Sequence, residues 1–455
     1  MVFLSAESAG GMGLNLISAA YWKSFLNRSG ASDGVRELYD FASLPPGLAR
    51  QDLAGRMTAL IRYFGQREDA LPEWRELARE ERAEEVWRNW PSLPITTKRD
   101  LVTRFPAGEI GRRFGLDGRL NSSGGSTGEP THFFQDMQMV SAGIAATYYA
   151  RTQVGWRPGM PLIALWGSDR DLGKAGPSRA ERMRAWLRND WLIGGYLVGE
   201  ATVDRFLGLL RRHHPAAVFG YTSILEYVAR QVLDRGLEVS KNWVHTAWNG
   251  AEMLFESQSE LFRQAFGVGL LNWYGSRELS VIGYQKAIGG PLYFLRPHMF
   301  VEVINSAGRP AAAGESGRLI VTSMVGHGTP FIRYEIGDMG SFAAEDQDES
   351  GLRALRVLEG RNAGLLQLPN GKQVNSLFWN QIFKEFPEIY QFQVVVPRSQ
   401  PGIQLRLVGT GMSDERTAKL HQVLNRFTAG IPISITWMDQ IPLTQQGKLM
   451  QVVHE

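Results

Sequence analysis

Ten residues, Asn121 to Pro130 (NSSGGSTGEP), combine three glycines with four hydroxyl side chains. Such a segment can turn backbone amides and hydroxyls toward one point, which suits the oxygens of a phosphate. It is not a Walker loop, because no Gly-Lys-Ser/Thr follows. The same composition also suits a flexible surface linker, so composition alone leaves both readings open. Other residues with chemical potential are individually ambiguous. Tyr274 suits a packed aromatic, Glu278 a helix cap, Asp338 a turn, Arg361 a surface ion pair and Lys448 an exposed lysine near the chain end. His213, His214 and His245 lack the spacing of metal ligands and read as structural. With no cysteine, disulfides, thiolate nucleophiles and Cys-ligated zinc are excluded.

The surrounding pattern suggests how these residues are held. The first hundred residues read as a helical lead-in, with one helix expected over Asp69 to Trp90, rich in Glu, Arg, Ala and Leu. From Gly118 strands alternate with helices. Leu162 to Trp166, Ala216 to Phe219 and Leu270 to Trp273 are short apolar runs expected as buried strands. Met137 to Thr152 carries Met137, Val140, Ile144 and Tyr148 at helical spacing, and Glu256 to Phe266 is a second helix. Beyond Asp338 the character changes. Glu345 to Gly351 is acidic and turn-like, followed by helices at Ser376 to Glu385 and Asp414 to Phe427 and strands at Tyr390 to Val396, Gln404 to Val408 and Ser434 to Trp437. The expected architecture is α/β, a large N-terminal domain over 1–360 and a small C-terminal α+β domain over 361–455.

A length of 455 residues exceeds what one core usually serves. Lys and Arg total 49 against 46 Asp and Glu, without a basic run, so nucleic acid is not an expected partner. No apolar stretch has spanning length, and a membrane is not expected either. The N-terminus lacks a basic region before its apolar residues and makes a poor signal peptide. A cytoplasmic address is the expectation.

Five segments in order resemble the ANL superfamily of acyl-CoA synthetases, adenylation domains and luciferases, and within it the phenylacetate–CoA ligase and CapK-like branch. They are SSGGSTGEPT (122–131), WNGAEML (248–254), NWYGSRE (272–278), FIRYEIGD (331–338) and PLTQQGKLM (442–450). The resemblance runs from about Pro94 to the C-terminus. It implies activation of a carboxylic acid with ATP to an acyl- or aryl-AMP, with release of pyrophosphate. By this resemblance Ser122, Ser123, Gly124, Gly125, Ser126, Thr127 and Gly128 wrap the β- and γ-phosphates. Gly250, Ala251 and Glu252 lie against adenine, and Tyr274 stacks on it within a nucleotide segment that includes Asn272, Gly275 and Ser276. Glu278 holds Mg²⁺, Asp338 accepts from the ribose hydroxyls, Arg361 reaches the nucleotide, and Lys448 offsets charge on the α-phosphate and carboxylate.

The chain departs from the family pattern at four places. Glu129 replaces a frequent Lys, and Glu335 a frequent Arg. Arg277 occupies a position commonly filled by a small hydroxyl residue, and is expected to contact the α-phosphate or an acidic group of the substrate. Ala363 stands where the family has its Asp or Lys hinge, beside the freer Gly364. Trp166, Tyr221, Trp248 and Asn249 are the expected acid pocket, their size suiting a flat or short acid. Coenzyme A is the acceptor the resemblance implies. An amine or a carrier-protein thiol are the alternatives, and a lapsed nucleotide-binding protein is a third reading, motivated by Glu129, Arg277 and Ala363. A homodimer is implied by the resemblance alone.

Overall fold

The expected single helix at 69–90 is interrupted. The structure, a computed structural model, describes residues 9–123, 132–167, 178–194, 197–347, 353–359, 365–367 and 373–375, then 379–397 except 380–381, 384–385 and 387, and finally 402–428, 431–439, 441 and 452–454. Helices at Ala9–Arg28, Ala31–Ala42 and Pro46–Gly65 precede two short ones at Pro72–Leu77 and Ala83–Asn89. Between the short helices the chain turns, and Arg62 donates from Nη2 to the carbonyls of Glu80 (3.0 Å) and Glu81 (3.2 Å). That tertiary anchor overrides the helix propensity of the intervening residues.

The buried apolar runs form a five-stranded, all-parallel sheet. Its order is Asp190–Gly194, Leu162–Trp166, Ala216–Tyr221, Val244–Gly250 and Leu270–Leu271. Alternate side chains serve two cores. Ile163, Leu165, Val218 and Ala247 pack with helices Glu200–Arg212, Thr222–Asp234 and Glu256–Phe266. Leu162, Ala217 and Trp248 pack with Met137–Gln153 and the N-terminal helices. Burial on both faces explains why these strands read as continuous apolar runs.

The run expected as one strand at 270–273 divides at Asn272. Leu270–Leu271 closes the parallel sheet, and Trp273–Ser276 opens a seven-stranded antiparallel one. Its order is Met299–Ile304, Gly317–Ser323, Tyr334–Gln347, Arg353–Glu359, Leu292–Phe294, Ser280–Gln285 and Trp273–Ser276. A separate hairpin joins Gly118–Ser122 to His132–Asp136, ending at the pair Ser122↔His132.

The C-terminal part has its own core around Trp379, Phe386, Phe392, Leu405 and Leu424. Strands Ile433–Trp437, Ile403–Gly409, Ile389–Val396 and Val452–His454 form a mixed sheet, with helix Asp414–Thr428 packed on it. Most of the helix expected at 376–385 lies outside the described residues. The small hairpin Leu365–Gln367 and Gln373–Asn375 pairs with Leu197–Val198, tying the start of the C-terminal part to the earlier sheet region.

Candidate functional site

The glycine-rich segment joins the two strands of the hairpin. Ser122 and Ser123 are buried at its root, while Gly124, Gly125, Ser126, Thr127, Gly128 and Glu129 lie outside the described residues. At the root the Asn121 amide donates to Gln135 Oε1 at 3.0 Å, and its carbonyl oxygen accepts the Ser122 N–H at 2.9 Å. Asp136 ends the second strand. Its Oδ1 accepts from Met139 N at 2.7 Å and caps Met137–Gln153, and its Oδ2 accepts from His327 N. The exit of the glycine-rich segment and the start of this helix are therefore fixed together.

The segment at 250–252 sits at the carboxyl end of strand Val244–Gly250, where open parallel sheets bind ligands. A Cβ on Gly250 would meet the rings of Phe219 (2.8 Å) and Trp166 (2.9 Å), so only glycine fits. Ala251 follows with φ 63°, turning the loop back. Glu252 then directs its carboxylate to Ser223, accepting from the N–H at 2.7 Å and from the hydroxyl at 3.0 Å. It caps helix Thr222–Asp234, whose first turn offers unpaired amides.

Asn249 is fully buried at 0% exposure. Its amide donates to Thr222 Oγ1 (2.9 Å) and the Glu252 carbonyl (2.8 Å), and its oxygen accepts from Trp273 N (3.0 Å). With donors and acceptor engaged, it is a strut between loop, helix and strand. Trp248 packs in the core against Trp273 and Phe219. Trp166 stacks on Tyr221, with ring centroids 4.2 Å apart. In this structure Trp166, Tyr221, Trp248 and Asn249, the expected acid pocket, are engaged in ring packing and hydrogen bonds at the sheet's end.

The segment 272–278 and Asp338 come together. Asn272 N donates to Gln285 Oε1 at 2.8 Å, fixing the entry to the strand. A Cβ on Gly275 would meet the Ser280 carbonyl at 2.4 Å, and Ser276 Oγ accepts from Leu279 N at 3.2 Å, so the turn between the strands is tight. Tyr274 donates its hydroxyl proton to Asp338 Oδ2 at 2.9 Å, across 64 residues of sequence. Its ring is only 7% exposed and belongs to the core. It offers the site its hydroxyl more than a stacking face. Glu335, the departure next to Asp338, accepts from Arg318 Nη1 at 2.9 Å on the neighbouring strand.

A cavity of about 510 Å³ opens beside this turn, within the usual range for small-molecule sites. Ser276, exposed Arg277 and buried Glu278 (4% exposed) line it, with Asn121 and Gln135 from the hairpin. Helix Met137–Gln153 forms a wall through Val140, Gly143, Ile144 and Thr147. None of Trp166, Tyr221, Trp248 and Asn249 borders it. His298 also lines it, and its Nε2 lies 3.2 Å from Glu37 Oε2. The His298 contact, against the opposing effect of burial and with help from Arg56, holds the Glu37 carboxyl at about 2, well below 4.5.

No cluster of three metal-ligating side chains occurs among the described residues. A Mg²⁺ held chiefly by phosphate oxygens needs only one or two protein carboxylates, and Glu278 beside the hairpin root fits that demand. Arg361, Ala363, Gly364 and Lys448 lie outside the described residues. Sequence reasoning missed Arg119, Arg151, Arg188 and Asp190, which also line the cavity. The signal for Arg151 was there. It continues the helical stripe of Val140, Ile144 and Tyr148 with a charge where an apolar residue was due. Among the described residues no helix is long and apolar enough to cross a membrane.

No family model matches the chain. Protein CapK of Staphylococcus aureus is 25% identical over 255 residues, covering 54% of this chain and 53% of that protein. A phenylacetate-coenzyme A ligase of Thermus thermophilus is 24% identical over 403 residues, covering 80% of this chain and 86% of the ligase. For CapK the match therefore spans about half the relative's length. Among solved structures, 2-hydroxyisobutyryl-CoA ligase in complex with 2-HIB-AMP and CoA superposes with a TM-score of 0.58 over 91% of each chain, at 14% identity, and so shows the fold. Its postadenylation form with R3-HIB-AMP gives 0.54. These relatives and this fold support a likeness to the ANL superfamily of adenylate-forming enzymes, on its phenylacetate–CoA ligase-like branch.

Proposed function

We propose that this protein is an AMP-forming acid–thiol ligase that activates a small carboxylic acid with ATP and passes the acyl group to coenzyme A. The observation that carries the reading is the cavity itself. Arg277 and Glu278 border it at the turn, and its wall is the helix that follows strand His132–Asp136, the strand leading out of the glycine-rich segment. In the first step a carboxylate oxygen attacks the α-phosphorus. The bond to the pyrophosphate oxygen breaks, and pyrophosphate leaves with the electron pair. In the second step the thiol sulfur attacks the acyl carbon, gives up its proton, and AMP departs.

Positioning and charge stabilisation supply most of the catalysis in such steps. Ser122 through Gly128 would cradle the phosphates. Arg277 and Lys448 would offset developing charge, with Lys448 carried by a small domain beginning at 361. Asp338, held by Tyr274, would accept from the ribose. Mg²⁺, held by Glu278 and the phosphates, would neutralise the charge of the leaving pyrophosphate. The acid would lie in the cavity, not among Trp166, Tyr221, Trp248 and Asn249.

The test is ATP- and Mg²⁺-dependent pyrophosphate release over a panel of aryl, short-chain and dicarboxylic acids, with and without coenzyme A. Acid-dependent release accelerated by coenzyme A is expected. Lys448→Ala should retain ATP binding and lose about a hundredfold or more in release. Release indifferent to coenzyme A would shift the acceptor to an amine or a carrier-protein thiol. ATP binding without release from any acid would favour a lapsed enzyme.

A further inference from the structure

The end of the cavity away from Arg277 and Glu278 carries two guanidiniums and one carboxylate whose polar atoms are incompletely satisfied among the described residues. Arg151 stands near the end of helix Met137–Gln153, with its guanidinium carbon 5.8 Å from the ring centroids of both Trp22 and Trp156. Its carbonyl accepts from Trp156 N at 3.0 Å, but among the described residues its guanidinium has no hydrogen bond or ion pair. Next to it, Arg188 Nε lies 3.3 Å from Asp190 Oδ2, but the two are not aligned as a hydrogen bond. Arg188 Nε and Asp190 Oδ1 are both buried without a hydrogen-bond partner among the described residues. All three residues line the cavity.

The charge does not balance there. Two guanidiniums face one carboxylate. Burial pushes the Asp190 carboxyl up, opposed by Arg151 and Arg188. Burial also pushes Arg151 down, with Asp190 opposing and Arg188 adding to the effect. Arg188 and Asp190 are 35% and 23% exposed and Arg151 is partly buried, so the excess positive charge is partly desolvated and open to an anionic group. The flanking walls are flat and apolar, from Trp22, Phe25 and Tyr148. Trp22 is held in place by donating from Nε1 to the Arg188 carbonyl at 3.2 Å.

We propose that this end of the cavity binds a second anionic group of the acid, so that the substrate is an elongated dicarboxylic acid with a flat, apolar middle. The proposal rests on the acid lying in the cavity, as argued for the function above. The helix gives its scale. Gly143 packs against Ser280, at the turn that carries Arg277 and Glu278, and Arg151 lies eight residues further on. At 1.5 Å per residue the two ends are about 12 Å apart along the axis. The activated carboxylate would sit by Arg277, and the distal one between Arg151 and Arg188. Asp190 would hold Arg188 in place.

A matched pair of probes tests this by calorimetry on the full chain: the para,para′-dicarboxylate of biphenyl and biphenyl para-carboxylate. The dicarboxylate should bind at least about tenfold tighter, the equivalent of about 1.4 kcal/mol. Arg151→Met, which keeps the stem against Trp22 and Trp156, should abolish the preference and leave monocarboxylate affinity within about twofold. Arg188→Met should weaken the preference in the same direction. Equal binding of the two probes to the wild type, or binding of neither, overturns the proposal without need of a variant. A preference that survives both substitutions overturns it as well. Pyrophosphate release separates the two readings. A dicarboxylate that binds through Arg151 but releases none keeps the anion site and removes the ligase function, whereas release from monocarboxylates without any binding preference does the reverse.

Discussion

The Tyr274 hydroxyl fixes the Asp338 carboxylate at 2.9 Å, and that carboxylate is half-buried at the site. A charge-assisted hydrogen bond from a ribose hydroxyl to it is worth about 1.5–3 kcal/mol. Asp338→Asn should therefore raise the KM for ATP about tenfold in the pyrophosphate-release assay, with a smaller effect on kcat. Tyr274→Phe, which loosens the carboxylate without removing it, should raise KM only a few-fold. An unchanged KM in Asp338→Asn would remove Asp338 from nucleotide binding. Residue identity carried much of this. The motif order singled out Tyr274, Glu278 and Asp338, but it did not reveal that the Tyr274 ring is packed in the core. It also assigned Asn249 to the acid pocket. Position at a strand end was legible in the sequence, whereas the three hydrogen bonds that consume its amide involve residues up to 27 positions away.

At the scale of elements, Arg333 shows how the helical lead-in is fastened to the antiparallel sheet. It has φ 46°, a conformation unusual for a residue with a side chain. Its Nε donates to Glu302 Oε2 at 3.0 Å, and its Nη1 donates to the carbonyls of Pro91 (2.6 Å) and Leu93. Burial pushes the Glu302 carboxyl up, and Arg333 opposes that shift. Removing one member of such a buried pair costs about 3–5 kcal/mol, because the other is left unpaired. Arg333→Met should lower the denaturant midpoint accordingly, and adding Glu302→Met should recover a large part of the loss. An unaltered midpoint in the single variant would exclude the strut. The parallel strands were legible from their apolar runs, and Glu256–Phe266 was read with its observed bounds. The antiparallel sheet was not. Its strands pair residues far apart in sequence, with bulges at Val281/Gly283 and Arg318/Ile320 that break a simple alternation.

For the whole molecule, the resemblance makes Ala363 the hinge of a small domain that turns between two half-reactions. Just beyond it, Gln373 and Val374 pair with Val198 and Leu197. Ala363→Pro, which restricts that backbone, should spare adenylation and suppress thioester formation by an order of magnitude or more. Single-turnover measurement of each half-reaction decides this, and equal loss of both would remove the hinge role. By itself the sequence determined the fold class and the order of the five motif segments, because these depend on local periodicity and short motifs. Only the tertiary structure decided which residues share the cavity in which the acid is proposed to lie. Trp22, Arg151, Arg188, Asp190, Arg277 and Glu278 come from four separate stretches of chain, and they share one cavity only because helix Met137–Gln153 is capped by Asp136, packed against strand Ser280–Gln285 and covered by the N-terminal helices.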